Sequence, residues 1–167
     1  MSELRTNRIV PRDGLVSGAS GGVIQVVFFS LATGSTVTVN GTSFVDIMSA
    51  SITPTRSDSK ILVQVTSAPK TNGGSANFQF GAQIQRNSTT IMYDNEYLQM
   101  NNGYAPNAFT GAYTVLDSPA STSALTYKFR CNRNASVTGR QLFFDNSTDN
   151  TGIFYNKHTM TLMEVSG

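Results

Sequence analysis

Phe78-Gln79-Phe80-Gly81-Ala82-Gln83-Ile84-Gln85 alternates apolar with polar or small residues without a break. Successive side chains of a β-strand point to opposite faces, so this stretch shows Phe78, Phe80, Ala82 and Ile84 to one side and Gln79, Gly81, Gln83 and Gln85 to the other. A helix would scatter the same residues around its circumference. One side of this strand therefore faces a core and the other is rich in amides. The pattern recurs along the chain. Leu125, Tyr127, Phe129 and Cys131 alternate with Thr126, Lys128 and Arg130, and Ile61, Val63 and Val65 alternate with Leu62, Gln64 and Thr66. Leu142 and Phe144 form another strand core, and Thr159 to Val165 closes the chain.

Other segments read as strands by composition. Val23-Ile24-Gln25-Val26-Val27-Phe28-Phe29 is nearly all apolar, which predicts a strand buried on both faces. Thr36 to Val39, Asn40-Gly41 and Phe44 to Ile47 read as a hairpin, because Asn-Gly suits a tight two-residue turn. Ser51-Ile52-Thr53 stops at Pro54, and a polar loop follows over 55–59. About eight to ten short strands at intervals of roughly 8–15 residues fit a β-sandwich or jelly roll. No window carries the spacing of an amphipathic helix.

Composition agrees. Only 13% of residues are charged, and Ser, Thr and Asn make up about a third of the chain. These residues compete with helical backbone hydrogen bonds and favour turns and strands. The 167 residues, 18.0 kDa, are enough for one domain. It is expected over residues 22–167. Residues 1–21 hold Leu4, Ile9, Val10 and Pro11 among charged residues, then the Gly-Ser stretch Ser17 to Gly22, and read as an attachment arm with a flexible linker.

The same composition narrows the function. The twelve Lys and Arg residues are scattered and the net charge is +2, which argues against nucleic acid as a partner. No run approaches the roughly 18 apolar residues of a membrane span, and charges interrupt the N-terminus where a signal peptide would be apolar. Membrane insertion is not expected, and synthesis is expected in the cytoplasm. Four Asn-x-Ser/Thr sequons, at Asn40, Asn87, Asn134 and Asn146, are what chance gives in such a composition. The single Cys131 reads as a small buried apolar residue, with an intermolecular bridge as the alternative.

The constellations that catalysis requires are missing from the sequence. His158 is the sole histidine, so a zinc motif with paired histidines is absent, and no Gly-x-Ser-x-Gly elbow supplies a nucleophile. Asp94 and Glu96 stand two apart and read as a solvated loop pair. Asp145 to Asn150 has oxygen ligands at alternate positions but lacks the closing Glu of a calcium loop, and reads as a surface turn. No catalytic residue, cofactor or metal is expected. A recognition surface is. Tyr93 to Tyr104 combines Tyr93, Tyr97 and Tyr104 with amides on an expected long loop, a mixture suited to glycan or protein contact or to a subunit interface. The uncharged amide face Gln79, Gln83 and Gln85 favours pairing between copies of the chain.

Several phrases resemble bacteriophage fibre proteins, particularly those of cyanophages and marine phages. They are Leu4 to Gly14 with Ser17-Gly18 and Gly22 to Val27, then Phe44 to Ile47 with Ser51 to Thr55 and Ser59 to Val63. Leu116 to Pro119 with Ser123 to Lys128 resembles a hairpin of that group, and Thr159 to Val165 resembles its closing strand. Proteins of this group are similar to trimeric jelly rolls of the tumour-necrosis-factor kind. The resemblance therefore implies a homotrimeric virion protein, a short tail fibre whose arm docks on a baseplate, tail or capsid protein. Its knob is expected to touch a host-surface glycan or protein. The missing long shaft keeps a second reading, a capsid decoration or head-fibre protein; a glycan-binding or glycan-cleaving module is a third.

Overall fold

The computed structural model describes residues 22–32, 34–71, 78–100, 110–133, 141–145 and 158–167, with backbone alone at 71, 78 and 96–100. Eleven strands follow one another: β1 (Val23–Ser30), β2 (Thr36–Val39), β3 (Val45–Ile52), β4 (Lys60–Ser67), β5 (Lys70–Thr71), β6 (Phe78–Arg86), β7 (Thr89–Met100), β8 (Gly111–Asp117), β9 (Leu125–Arg133), β10 (Leu142–Asp145) and β11 (His158–Val165). No helix occurs among the described residues. The arm residues Leu4, Ile9, Val10 and Pro11 lie outside them.

Two four-stranded sheets carry the fold, in the orders β1-β11-β4-β8 and β3-β9-β6-β7, with a small sheet β2-β10-β5 beside them. All pairings are antiparallel. Setting aside the small sheet and numbering the other eight strands in sequence gives orders 1-8-3-6 and 2-7-4-5. That is the strand order of a jelly roll, the double-sheet solution that folds a long antiparallel ribbon over on itself.

The expected alternation holds where it was clearest. Leu125, Tyr127, Phe129 and Cys131 on β9 face inward, as do Phe80, Ala82 and Ile84 on β6 and Ile61, Val63 and Val65 on β4. Met160 and Leu162 on β11 complete the layer. Tyr113, Phe129, Phe144 and His158 form a chain of rings with centroids 6.3, 6.4 and 5.4 Å apart, which joins β8, β9, β10 and β11. Cys131 is fully buried in this core, and burial pushes its thiol well up. The bridge between subunits is therefore ruled out for this thiol, since its sulfur has no route to another chain.

Three local expectations fail. Residues 36–39 and 45–52 do not pair as a hairpin: β2 joins β10 and β3 joins β9. The Asn40-Gly41 turn instead carries the chain from the small sheet to a main one. Likewise β8 and β9 lie in different sheets, so Leu116 to Lys128 is a crossing between layers. The third failure is β1. It is an edge strand, and Val23, Val26 and Phe28 are exposed by 57%, 56% and 60%. One face packs on the core through Val27 and Phe29, and the other is bare.

Polar side chains inside the sandwich fix its registers. Glu164 on β11 is fully buried; its Oε1 accepts hydrogen bonds from the Thr55 backbone N–H and hydroxyl at 2.8 Å each, and its Oε2 accepts one from Gln25 Nε2 at 2.6 Å. Gln25 also donates to Thr53 O at 2.7 Å, so β1, β11 and the 53–55 segment meet on one carboxylate. Between the two sheets, Arg86 Nη1 donates to both Asp117 oxygens at 2.8 and 2.7 Å, and Tyr127 Oη adds a bond of 2.7 Å. Burial, and then the Asp117 carboxylate, push the Tyr127 phenol well up. At the β6-β7 turn Asn87 takes the left-handed conformation, φ 52°, which asparagine tolerates.

Burial alone would raise the Glu164 carboxyl, but the hydrogen bonds from Gln25 and Thr55, with the Ser59 hydroxyl nearby, outweigh it and bring it down to about 2 from 4.5. A lowered folded-state value stabilises above pH 4.5, and that contribution is lost as pH falls from 4.5 towards 2. Urea unfolding followed across this window should show a steep acid loss in the native chain and a shallower one in Glu164→Gln. At neutral pH the substitution should cost about 1–3 kcal/mol, because of the three donors at least one then meets an amide nitrogen and the others lose their charged acceptor. Parallel pH profiles for the two proteins would contradict this role.

Candidate functional site

The outward positions of the β3-β9-β6-β7 sheet form two cross-strand rows. Arg130 pairs with Asp46 on one side and Gln83 on the other, and Gln83 pairs with Tyr93. In the next row Lys128 lies between Ser49 and Gln85, and Gln85 pairs with Thr90. These residues reach the surface because their neighbours Phe129, Ile84 and Met48 occupy the inward parity of the same strands.

Arg130 organises this surface. Its Nε donates to Asp46 Oδ1, its Nη1 to Gln85 Oε1 at 3.1 Å and more loosely to Gln83 Oε1 at 3.5 Å, and its Nη2 to the Phe44 carbonyl at 3.2 Å. The guanidinium carbon also stands 5.8 Å from the centre of the Phe44 ring, within reach of a cation–π attraction. Asp46 is bonded a second time, by Lys128 Nζ at 2.6 Å. Partial burial would raise the Asp46 carboxyl, but the bonds from Lys128 and Arg130 hold it below its usual value. Phe44 meets Tyr93 edge to face, centroids 6.0 Å apart at 68°. Tyr93 Oη donates to Asn95 Oδ1 at 3.0 Å, and Gln83 Nε2 donates to Thr90 Oγ1 at 2.5 Å.

Tyr93 is 56% exposed, but its setting differs from the expected loop. Residues 93–100 belong to strand β7 and are not loop. The side chain of Tyr97 and the whole of Tyr104 lie outside the described residues. Asp94 accepts a bond from Tyr113 Oη at 2.5 Å, so it ties β7 to β8. Asp145 ends β10 and pairs with Lys70 at 3.1 Å, while 146–150 lie outside the described residues. His158 stands at the head of β11 as expected, yet fully buried: Ser67 Oγ lies 3.0 Å from Nδ1 and the Asp145 carbonyl 3.0 Å from Nε2. A carbonyl only accepts, so in the neutral ring Nε2 carries the proton and Nδ1 takes the Ser67 hydroxyl proton.

The amide face is not uncharged either. Arg130, Lys128 and Asp46 share it, and Gln83 and Gln85 are engaged within the chain. That removes the reason for assigning this face to contact between copies. Sequence reasoning missed Phe44, Arg130 and Asp46. Phe44 read as the start of a returning strand, and Asp46 and Arg130 meet only through pairing 84 residues apart in the chain.

The other main sheet presents a contrasting outer face. Val26 on β1, Met163 on β11, Leu62 on β4 and Leu116 on β8 are register partners in one unbroken row across all four strands. Phe28 begins the next row, followed by Thr161, Gln64 and Thr114. Leu116 is 54% exposed. Of the outward residues on these strands only Lys60 carries a charge.

No protein-family model and no curated protein matches this chain. Among solved structures, a chain of the T13 particle of IBDV is similar at 10% identity and a TM-score of 0.48, over 98% of this chain and 39% of that one. A chain of the Gx strain of infectious bursal disease virus is similar at 10% identity and a TM-score of 0.42, over 98% and 41%. The present chain thus spans about two fifths of the length of each viral chain. The jelly-roll assignment rests on strand order.

If Phe44 and Tyr93 support each other, a double-mutant cycle should find it. Thermal or urea unfolding of Phe44→Ala, Tyr93→Ala and the pair should give a coupling of about 0.5–1.5 kcal/mol. Strict additivity would mean that the two rings are neighbours without interacting.

Proposed function

We propose that this chain is a non-enzymatic bacteriophage virion protein, a short homotrimeric tail fibre that joins the particle through residues 1–21. The observation that carries the reading is the apolar row Val26, Met163, Leu62 and Leu116 with Phe28 beside it. Four strands at about 4.8 Å spacing make this row roughly 14 Å long. Fully covering a Val, Leu or Phe side chain is worth about 1.5–3 kcal/mol, so water is a poor permanent neighbour for it. Three copies of this face gathered around a threefold axis are a good one, since they bring no like charges together there. The resemblance of the chain to phage fibre proteins supplies the setting, and the arm containing Leu4, Ile9, Val10 and Pro11 supplies the attachment.

Under this reading the chain in solution has three times its 18.0 kDa mass by light scattering. Phe28→Lys combined with Leu116→Lys should release folded monomers, because both side chains are exposed in the single chain and neither supports its core. Deleting residues 2–13 should leave the trimer intact and abolish incorporation into particles. A native chain that runs as a monomer at micromolar concentration, or truncated protein still found on particles, would overturn the proposal. Electron microscopy of labelled particles separates the tail from the head; label on the capsid lattice would make the chain a decoration protein.

A further inference from the structure

Nothing in the packing of the jelly roll calls for aromatic rings on the solvent side of the β3-β9-β6-β7 sheet, yet two meet there. Tyr93 is more than half exposed, and Phe44 lies against it instead of entering the core. Exposed aromatic surface forgoes the stabilisation that burial would give. Both rings are also held in place. Arg130 grips Phe44 by its carbonyl and its ring, and is itself fixed by Asp46 and Gln85. A surface ordered in advance loses little freedom when a ligand settles on it.

We propose that this face is a carbohydrate-binding surface, which takes a weakly acidic oligosaccharide against Tyr93 and Phe44. The inference rests on reading the chain as a virion protein that meets a host surface, and it names the chemistry of that contact. A sugar ring has apolar C–H faces and a rim of hydroxyls. The faces suit an aromatic ring, and the hydroxyls suit the amides and hydroxyls beside it, here Gln83, Thr90 and Asn95. Lys128 and Arg130 against Asp46 leave one positive charge over, which complements a chain with occasional carboxylates. Nucleic acid would need a far denser set of cations. Among the described residues Lys128 is bound only to the exposed Asp46 carboxylate, and it is placed to turn towards such a group.

The test uses the full-length chain and immobilised polysaccharides, with polygalacturonate, alginate and hyaluronate as acidic probes and dextran and mannan as neutral ones. The native chain should be retained by at least one acidic probe in preference to the neutral pair, and should stay bound at 0.5 M salt, roughly, where plain ion exchange is screened out. Tyr93→Ala should weaken retention at least tenfold with circular dichroism and oligomer mass unchanged, and Lys128→Gln should reduce the acidic preference. Because Phe44→Ala disturbs more of the fold, Tyr93→Ala decides. Failure of every acidic probe, equal retention on the neutral ones, loss of retention with salt alone, or indifference to Tyr93→Ala would each overturn the inference. So would dissociation of Tyr93→Ala into monomers, which would make this face a contact between copies. A native trimer without any retained polysaccharide sinks this inference and leaves the fibre proposal standing, whereas a native monomer sinks the fibre proposal itself.

Discussion

The last strand of the chain sits in the middle of its sheet. β11 is hydrogen-bonded to β1 along one edge and to β4 along the other, so it is the strand that joins β1 to the β4-β8 pair. Its register is fixed at both ends by polar side chains that point inward: His158 towards Ser67 and the Asp145 carbonyl, Glu164 towards Gln25 and Thr55. A slip by one residue would turn both into solvent and drive Thr161 and Met163 into the core, while Met160 and Leu162 would be stranded outside. Apolar contacts tolerate small shifts; a buried carboxylate with three donors does not. The two groups therefore do more for uniqueness than their net contribution to stability implies.

With β11 placed, the two main sheets must pack their inner faces together, and the outer faces become free to differ. They differ sharply. The β1-β11-β4-β8 face is a row of aliphatic and thioether side chains among Thr and Gln, whereas the β3-β9-β6-β7 face is a network of charges, amides and two rings. A monomer with water on both sides would gain by making them alike. Under the proposal made above, the first face is the one turned to copies of the chain and the second is the one turned outward.

Period two was legible because each strand that shows it is half buried, and burial writes itself into every second residue. The sequences around Ile84 and Phe129 record this directly. β1 misled for a physical reason: its composition is that of a strand covered on both faces, but the single chain covers only one. The Asn40-Gly41 signal misled differently, since turn chemistry specifies a sharp change of direction and says nothing about which strand lies next to the one that follows. As for the site, Tyr93 stood out through its residue type. Arg130 did not, because its meaning comes from Asp46 and Phe44, and strand pairing brings those close only after the fold is made.

β9 shows how one strand serves both the core and the outer face. Phe129 is sealed in the core between Tyr113 and Phe144, and the next residue, Arg130, holds the outer face together. Adjacent in sequence, they lie on opposite sides of a sheet. Gly81 marks a close approach on the outer face: a Cβ there would lie 2.6 Å from Asn132 Oδ1 and 3.3 Å from the Asp94 carbonyl, so a larger residue is not accommodated between β9 and β7 without a shift. Elsewhere the outward parity can change with little consequence for the inward one. Substitutions at Tyr93, Lys128 or Thr90 then change the outer surface while Phe80, Ile84 and Phe129 keep the sandwich closed. A binding surface written on a sheet face is less adaptable in shape than one made of loops, but it inherits the rigidity of the core directly beneath it.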